Sequence, residues 1–142
     1  MAITQAVCSS FKADLLRGNH DLDGDTLKIA LYTSSASLDA TTTAYTVSGE
    51  ATGGAGYTTG GFTLYPTGGA PFASGTVAFM DFADVSVTSA TFSCAGALII
   101  NSTFSDASIA VLSFGGTYSV ANGTFRIIFP APDGTNAILR LS

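Results

Sequence analysis

"TLKIALYT", residues 26–33, alternates with a period of two: Leu27, Ile29 and Leu31 fall on one face, Lys28, Ala30 and Tyr32 on the other. Successive side chains of an extended chain point to opposite faces, so this pattern predicts a β-strand. Downstream, "GTVAFMDFAD" (75–84), "TSATFSCAGALII" (88–100), "SIAVLSFG" (108–115), "GTFRIIFP" (123–130) and "NAILRLS" (136–142) carry the same signal. They follow at the short spacing of an all-β meander or sandwich. Turn signals separate them: a polar tract over 102–108, "ANG" at 121–123 and "PAPDGTN" at 130–136. The expected architecture is all-β, a jelly-roll-like antiparallel β-sandwich in one domain over 1–142, with the sandwich spanning 26–142.

Upstream of the strand the period changes. Ile3, Val7, Phe11 and Leu15 recur every fourth residue, with Lys12, Asp14 and Arg17 off that stripe and Gly18 following. That spacing predicts an N-terminal amphipathic helix over 3–17, stopped by the glycine and packed across a sheet edge or end. Its polar face lacks the basic density of a membrane-surface helix. Two segments, 48–61 with "TGGAGYTTGG" and 66–75 with "PTGGAPFASG", are too rich in glycine for regular core strands. They read as extended arms or as plain surface loops, with a short strand near Phe62 to Tyr65.

Composition narrows the function classes. A chain of 142 residues suits one core, and 46% hydrophobic against 11% charged residues leaves Ser, Thr and Gly to make the polar exterior. The net charge is −5, and no cation stands between Lys28 and Arg126. No central basic patch can therefore neutralise phosphates, and nucleic acid is not an expected partner. No apolar run approaches the roughly 20 residues of a membrane span, and the start lacks a basic region before an apolar one. A soluble protein made in a cytosol is expected, with no membrane partner and with Cys8 and Cys94 as buried thiols.

"NHDLDGD", residues 19–25, resembles half a calcium loop. Asn19, Asp21, Asp23 and Gly24 fall in EF-hand register, but the position that should hold the closing glutamate is Ala30. A helix-to-strand turn rich in Asp, Asn and Gly is the expectation, with no metal and no cofactor. His20 is the sole histidine and cannot make a zinc site alone; a triad through it is advertised by no G-x-S-x-G turn. Asp81 and Asp84 in "MDFAD" read as strand-end carboxylates serving turn amides rather than as a glycosidase pair. "NST" at 101 and "NGT" at 122 fit a glycosylation pattern that chance supplies often. Tyr45, Tyr57, Tyr65 and Tyr118 fit a sugar-binding platform or interface anchors.

"MAITQAVCSSFKADLLRGNHD", "DTLKIALYTSSASLDATTTAYT", "GYTTGG", "VAFMDFAD", "GALIINST" and "FPAPDGTNAILRLS" together resemble a family of small tailed-phage virion proteins. Its better-understood members resemble cement, or decoration, proteins that clamp the outer face of the icosahedral capsid. The similarity runs over essentially the whole chain, and the opening twenty residues with "KIALYTSSA" are its most specific part. The resemblance implies a jelly roll, copies pairing (dimers) at symmetry axes of the shell, the major capsid protein as partner and no catalytic residues. The protein would be made in the host cytoplasm and end on the capsid exterior, stabilising the shell against internal DNA pressure. Lys12 and Arg17 on the helix, with Tyr45, Tyr57, Phe62, Tyr65 and Phe72 along the loops, are the candidate interface residues. The rival expectation is a carbohydrate- or receptor-binding module of a phage fibre.

Overall fold

Residues 2–52, 54–67, 71–130 and 138–141 are described by the computed structural model of the chain. Eight strands and one helix are found among them, in the order β1 (Ala6–Val7), α1 (Ser9–Leu16), β2 (Leu27–Tyr32), β3 (Phe62–Leu64), β4 (Phe72–Ser74), β5 (Val77–Met80), β6 (Val85–Asn101), β7 (Ala107–Ile127) and β8 (Leu139–Leu141). They form two antiparallel sheets, one of order β1-β7-β6-β2-β3 and one of order β4-β5-β8. Among the described residues the regular structure is therefore β apart from one short helix. The turn expected at 130–136 lies outside the described residues except Pro130, as do 136, 137 and 142 of the last expected strand.

The period-two segment is the strand β2, in register with β6 from Leu27 opposite Asn101 to Tyr32 opposite Gly96. Both of its faces are covered: Leu27, Ile29 and Leu31 are buried, and so are Ala30 and Tyr32. With Leu98, Ile99, Ile109 and Val111 of β6 and β7 they make the centre of the core. Each of the leucine, isoleucine and valine side chains contributes about 1.5–3 kcal/mol by leaving water. Cys8 and Cys94 are free, buried thiols, and burial pushes the Cys94 thiol up to about 11, so neither is poised as a nucleophile.

The helix is shorter than the expected 3–17. It runs Ser9–Leu16, and the residues before it are extended: Ala6 and Val7 pair with Val111 and Ala110 of β7, and Ile3 bridges Leu38. An exposed edge of β7 offers those backbone groups partners that an isolated helical turn lacks, and the β-branched Ile3, Thr4 and Val7 suit the pleat. Gly18 ends the helix as expected. Its φ is +79°, its N–H bonds Leu15 O, and Asn19 N–H bonds Asp14 O, the paired closure of a Schellman motif.

A second difference concerns the two strands expected at 108–115 and 123–130. They are one strand, β7, forming a long hairpin with β6, and "ANG" at 121–123 does not reverse the chain. Phe92 faces Val120 and Ala90 faces Gly123, so Thr91 stands against both Ala121 and Asn122. Asn122 takes φ +49° there and gives its N–H to Thr91 Oγ1 at 2.9 Å. This is a β-bulge. One step on, Thr88 and Ser89 oppose only Thr124, with Ser89 at φ +51°. The second bulge restores the alternation that the first displaced.

Candidate functional site

Two places gather the residues singled out above. The first is built on Glu50, the chain's one glutamate, 5% exposed. Residues 49–51 return beside the end of β2: Thr33 N–H bonds Gly49 O, Ala51 N–H bonds Leu31 O, and Tyr32 bridges Glu50. The chain then loops out and re-enters the sheet as β3. Across that loop Glu50 Oε1 accepts the Tyr57 hydroxyl at 2.6 Å and the Gly60 N–H at 2.8 Å, while Oε2 accepts the Tyr45 hydroxyl at 2.6 Å. Three donors satisfy a carboxylate that would otherwise be costly to bury. Tyr57 in turn accepts Leu31 N–H at 2.9 Å. Burial, then the bond to Glu50, holds both Tyr57 and Tyr45 well above the usual phenol range. Burial likewise pushes Tyr32 up to about 12.

The described part of 48–61 is therefore docked on the sheet rather than extended as an arm. Its glycines are there for close approach. A Cβ on Gly54 would sit 1.4 Å from Thr91 O, and one on Gly61 2.1 Å from Ile29 O. Ala55 O also accepts Thr91 N–H, so the loop covers the outer edge of β6. Of the four tyrosines, Tyr45 and Tyr57 turn their hydroxyls inward, and Phe62 packs edge-on against Tyr57 with ring centres 5.4 Å apart. Tyr65 and Tyr118 stay exposed. The four do not form one surface platform.

The second place is a groove of about 600 Å³ between α1 and the β5/β8 pair. Phe11, Leu15 and Leu16 come from the helix, Phe79, Met80 and Leu139 from the second sheet. Among the described lining residues the charged ones are Lys12 and Arg140. Leu16 is 90% exposed, an unusual state for a leucine on an eight-residue helix beside an apolar wall. Phe72 of β4 is partly exposed and packs on Phe79, ring centres 4.3 Å apart. Thus Lys12 belongs to the groove, Tyr45, Tyr57 and Phe62 to the Glu50 cluster, and Phe72 only touches the groove residue Phe79. Arg17 stands apart, bonding Asp14 at 3.2 Å on the exposed helix end. In the segment 66–75, residues 68–70 lie outside the described residues, and 72–74 form β4.

The remaining candidates resolve into structural roles. Asp21 Oδ1 accepts the N–H groups of Asp23 and Gly24, and Asp25 Oδ2 accepts Asp21 N–H, so the carboxylates of 21 and 25 serve the turn's own amides. Among the described residues no three His, Cys, Asp or Glu side chains cluster as metal ligands. His20 is buried between Phe11 and Phe104, with Nδ1 3.0 Å from Asn101 Nδ2. That amide also donates to Asp25 at 2.7 Å, so the carboxylate reaches Asn101 rather than the imidazole. Burial holds the His20 pKa below its ordinary 6.5, against the pull of Asp14 and Asp25. Asn101 is fully buried, so the first glycosylation match is inaccessible in the folded protein. Asp84 caps Phe129 N–H at 3.0 Å and meets Arg126 at 3.3 Å, while burial raises the Asp81 pKa. Compared with protein-family models, curated proteins and solved structures, the chain finds no match in any of the three.

Glu50 and the groove both escaped the reading of residues in order. A lone glutamate in a loop has no period, and its signal is only its rarity and the tyrosines five residues before and seven after it. The groove is assembled from three elements far apart in the chain, so no local pattern announces it.

Proposed function

We propose that this chain is a non-enzymatic cement protein of a tailed-phage capsid. It binds the major capsid protein on the outer face of the icosahedral shell and holds that shell against internal DNA pressure. In this reading its two sheets are the layers of a jelly-roll-like sandwich, and the groove between α1 and β5/β8 is the capsid contact. The observation that carries the reading is the groove itself: an open apolar trough, Leu16 standing out beside it and Lys12 on its wall, in a chain of net charge −5. An apolar partner segment bearing a carboxylate would gain burial along the trough and charge complementarity at Lys12. A rigid scaffold suits the task, because a cement protein needs repeated surface contacts rather than a reactive centre.

The test is co-sedimentation of the purified protein with capsids stripped of it, run beside a glycan panel. Saturation at a fixed ratio to the major capsid protein, with raised heat resistance of the shell, is the expected result. Glycan binding without capsid binding would replace this reading with the receptor-binding module.

A further inference from the structure

The polarity of the Asn101 side chain is fixed by its neighbours. Its Oδ1 accepts the N–H groups of Thr103 at 3.0 Å and Phe104 at 3.2 Å, so the amide nitrogen faces the other way. That nitrogen has two protons and two places for them, Asp25 Oδ2 at 2.7 Å and His20 Nδ1 at 3.0 Å. His20 Nδ1 is therefore the bare, accepting nitrogen, and the ring's proton sits on Nε2. That Nε2 is buried with no hydrogen-bond partner among the described residues. The arrangement serves a neutral ring only. A proton on Nδ1 would set an N–H against the amide N–H, and Asn101 cannot turn to meet it without taking Oδ1 from Thr103 and Phe104. The charged groups whose field reaches the ring are Asp14 of α1 and Asp25 of its own turn, and both favour the proton. Each is engaged elsewhere, Asp14 with Arg17 and Asn19, and Asp25 with Asn101 and the Asp21 N–H. The end of β6 and the turn after it present Asn101 and Phe104, neither of them charged.

We infer that His20 is a pH latch on the groove: its neutral ring fastens the turn 19–25, and a proton on that ring lets the turn go. The turn is part of the groove, because Leu22 lines it. Phe11 lines it too, and its ring packs on His20 with centres 5.0 Å apart. Freeing the imidazole therefore takes Leu22 off the groove wall and uncovers Phe11. The movement has limits at both ends. Gly18, with φ +79°, stands before the turn. After it, Thr26 gives its N–H to Thr103 Oγ1 and its carbonyl to Ser102, which keeps the start of β2 in place. Outside its cage the imidazolium gains water and the carboxylates of Asp21, Asp23 and Asp25, which share its turn. Burial keeps the enclosed ring unprotonated at neutral pH, so the latch is closed there and opens as pH falls below the ordinary 6.5. A loss of capsid binding in acid follows only on the reading proposed above, that the groove is the capsid contact; the latch itself needs no shell.

NMR of the isotope-labelled full chain tests the latch on the free protein. At about pH 7.5 the ring nitrogens should show Nδ1 bare and Nε2 protonated. At about pH 5 the Thr103 amide should lose hydrogen-exchange protection at least tenfold and the Leu22 methyl signals should shift. Ile29 and Ile99, paired in the core of the sheet, should keep their protection at both pH values. His20→Gln keeps an acceptor for Asn101 and does not titrate, so its Thr103 amide should stay protected in acid. If that variant fails to fold, the ring tautomer and the amide protection of the wild type decide alone. A proton found on Nδ1 at neutral pH overturns the inference. So does a turn equally protected at both pH values, or a core that loses protection in step with it, which is acid unfolding. An acid opening that persists in His20→Gln overturns it as well, since Asp14 or Asp25 would then be its source. A latch that opens in a protein binding no capsid at either pH keeps this inference and removes the cement reading.

Discussion

Glu50 ties together three points of the chain, Tyr45, Tyr57 and Gly60, through one buried carboxylate. Replacing it by alanine leaves two hydroxyls and an amide without their acceptor, and Glu50→Ala should cost about 3 kcal/mol in urea unfolding. Glu50→Gln should lose less, because the Tyr45 hydroxyl can rotate to accept from the new amide. His20 supplies a pH signature. Its folded pKa lies below the ordinary 6.5 because the ring is buried. As pH falls below about 6.5 the unfolded chain therefore takes a proton that the folded protein refuses. This contribution is fully present above 6.5 and is lost as pH drops through the folded value. His20→Leu should flatten the fall in stability between about pH 7 and pH 5, measured as the urea midpoint at each pH. Both residues show the limit of the sequence: His20 was visible as a rare type, yet its role depends on Phe104 and Asn101, remote in the chain.

At the scale of elements, β2 and the end of α1 were legible because their signals are local. A period of two and a glycine after a helical stripe need no distant partner to be read. The segment 3–7 was not, since Ile3 and Val7 satisfy a helical and an extended spacing alike, and the edge of β7 decided between them. "ANG" failed for a related reason. An asparagine at positive φ serves a chain reversal and a bulge equally, and only the facing Thr91 shows which it is. The bulge gives a clean test. Asn122→Gly should leave stability within about 0.5 kcal/mol, because glycine adopts that backbone freely. Asn122→Val should lose about 1–2 kcal/mol by thermal unfolding, because a β-branched side chain resists it. Equal effects from the two would mean that backbone conformation is not what position 122 supplies.

For the whole molecule, the all-β class followed from the sequence, and the contact surface did not. The Gly-rich run 48–61, which reads as an arm or a surface loop, is drawn onto the sheet by Glu50, and Gly54 and Gly61 pass where a Cβ would strike Thr91 O or Ile29 O. The groove that replaces it as the candidate contact combines Phe11 and Leu16 of the helix with Phe79 and Leu139 of the second sheet. That surface carries the central claim, and Leu16 is the place to probe it. At 90% exposure its side chain adds little to the fold, so Leu16→Asp should unfold at the wild-type denaturant concentration. Titration of stripped capsids with the wild type and with Leu16→Asp is the most direct measurement. The wild type should saturate at a fixed ratio to the capsid protein, and the variant should bind at least tenfold more weakly. A wild type that never saturates, or a variant that binds equally well, would contradict the account.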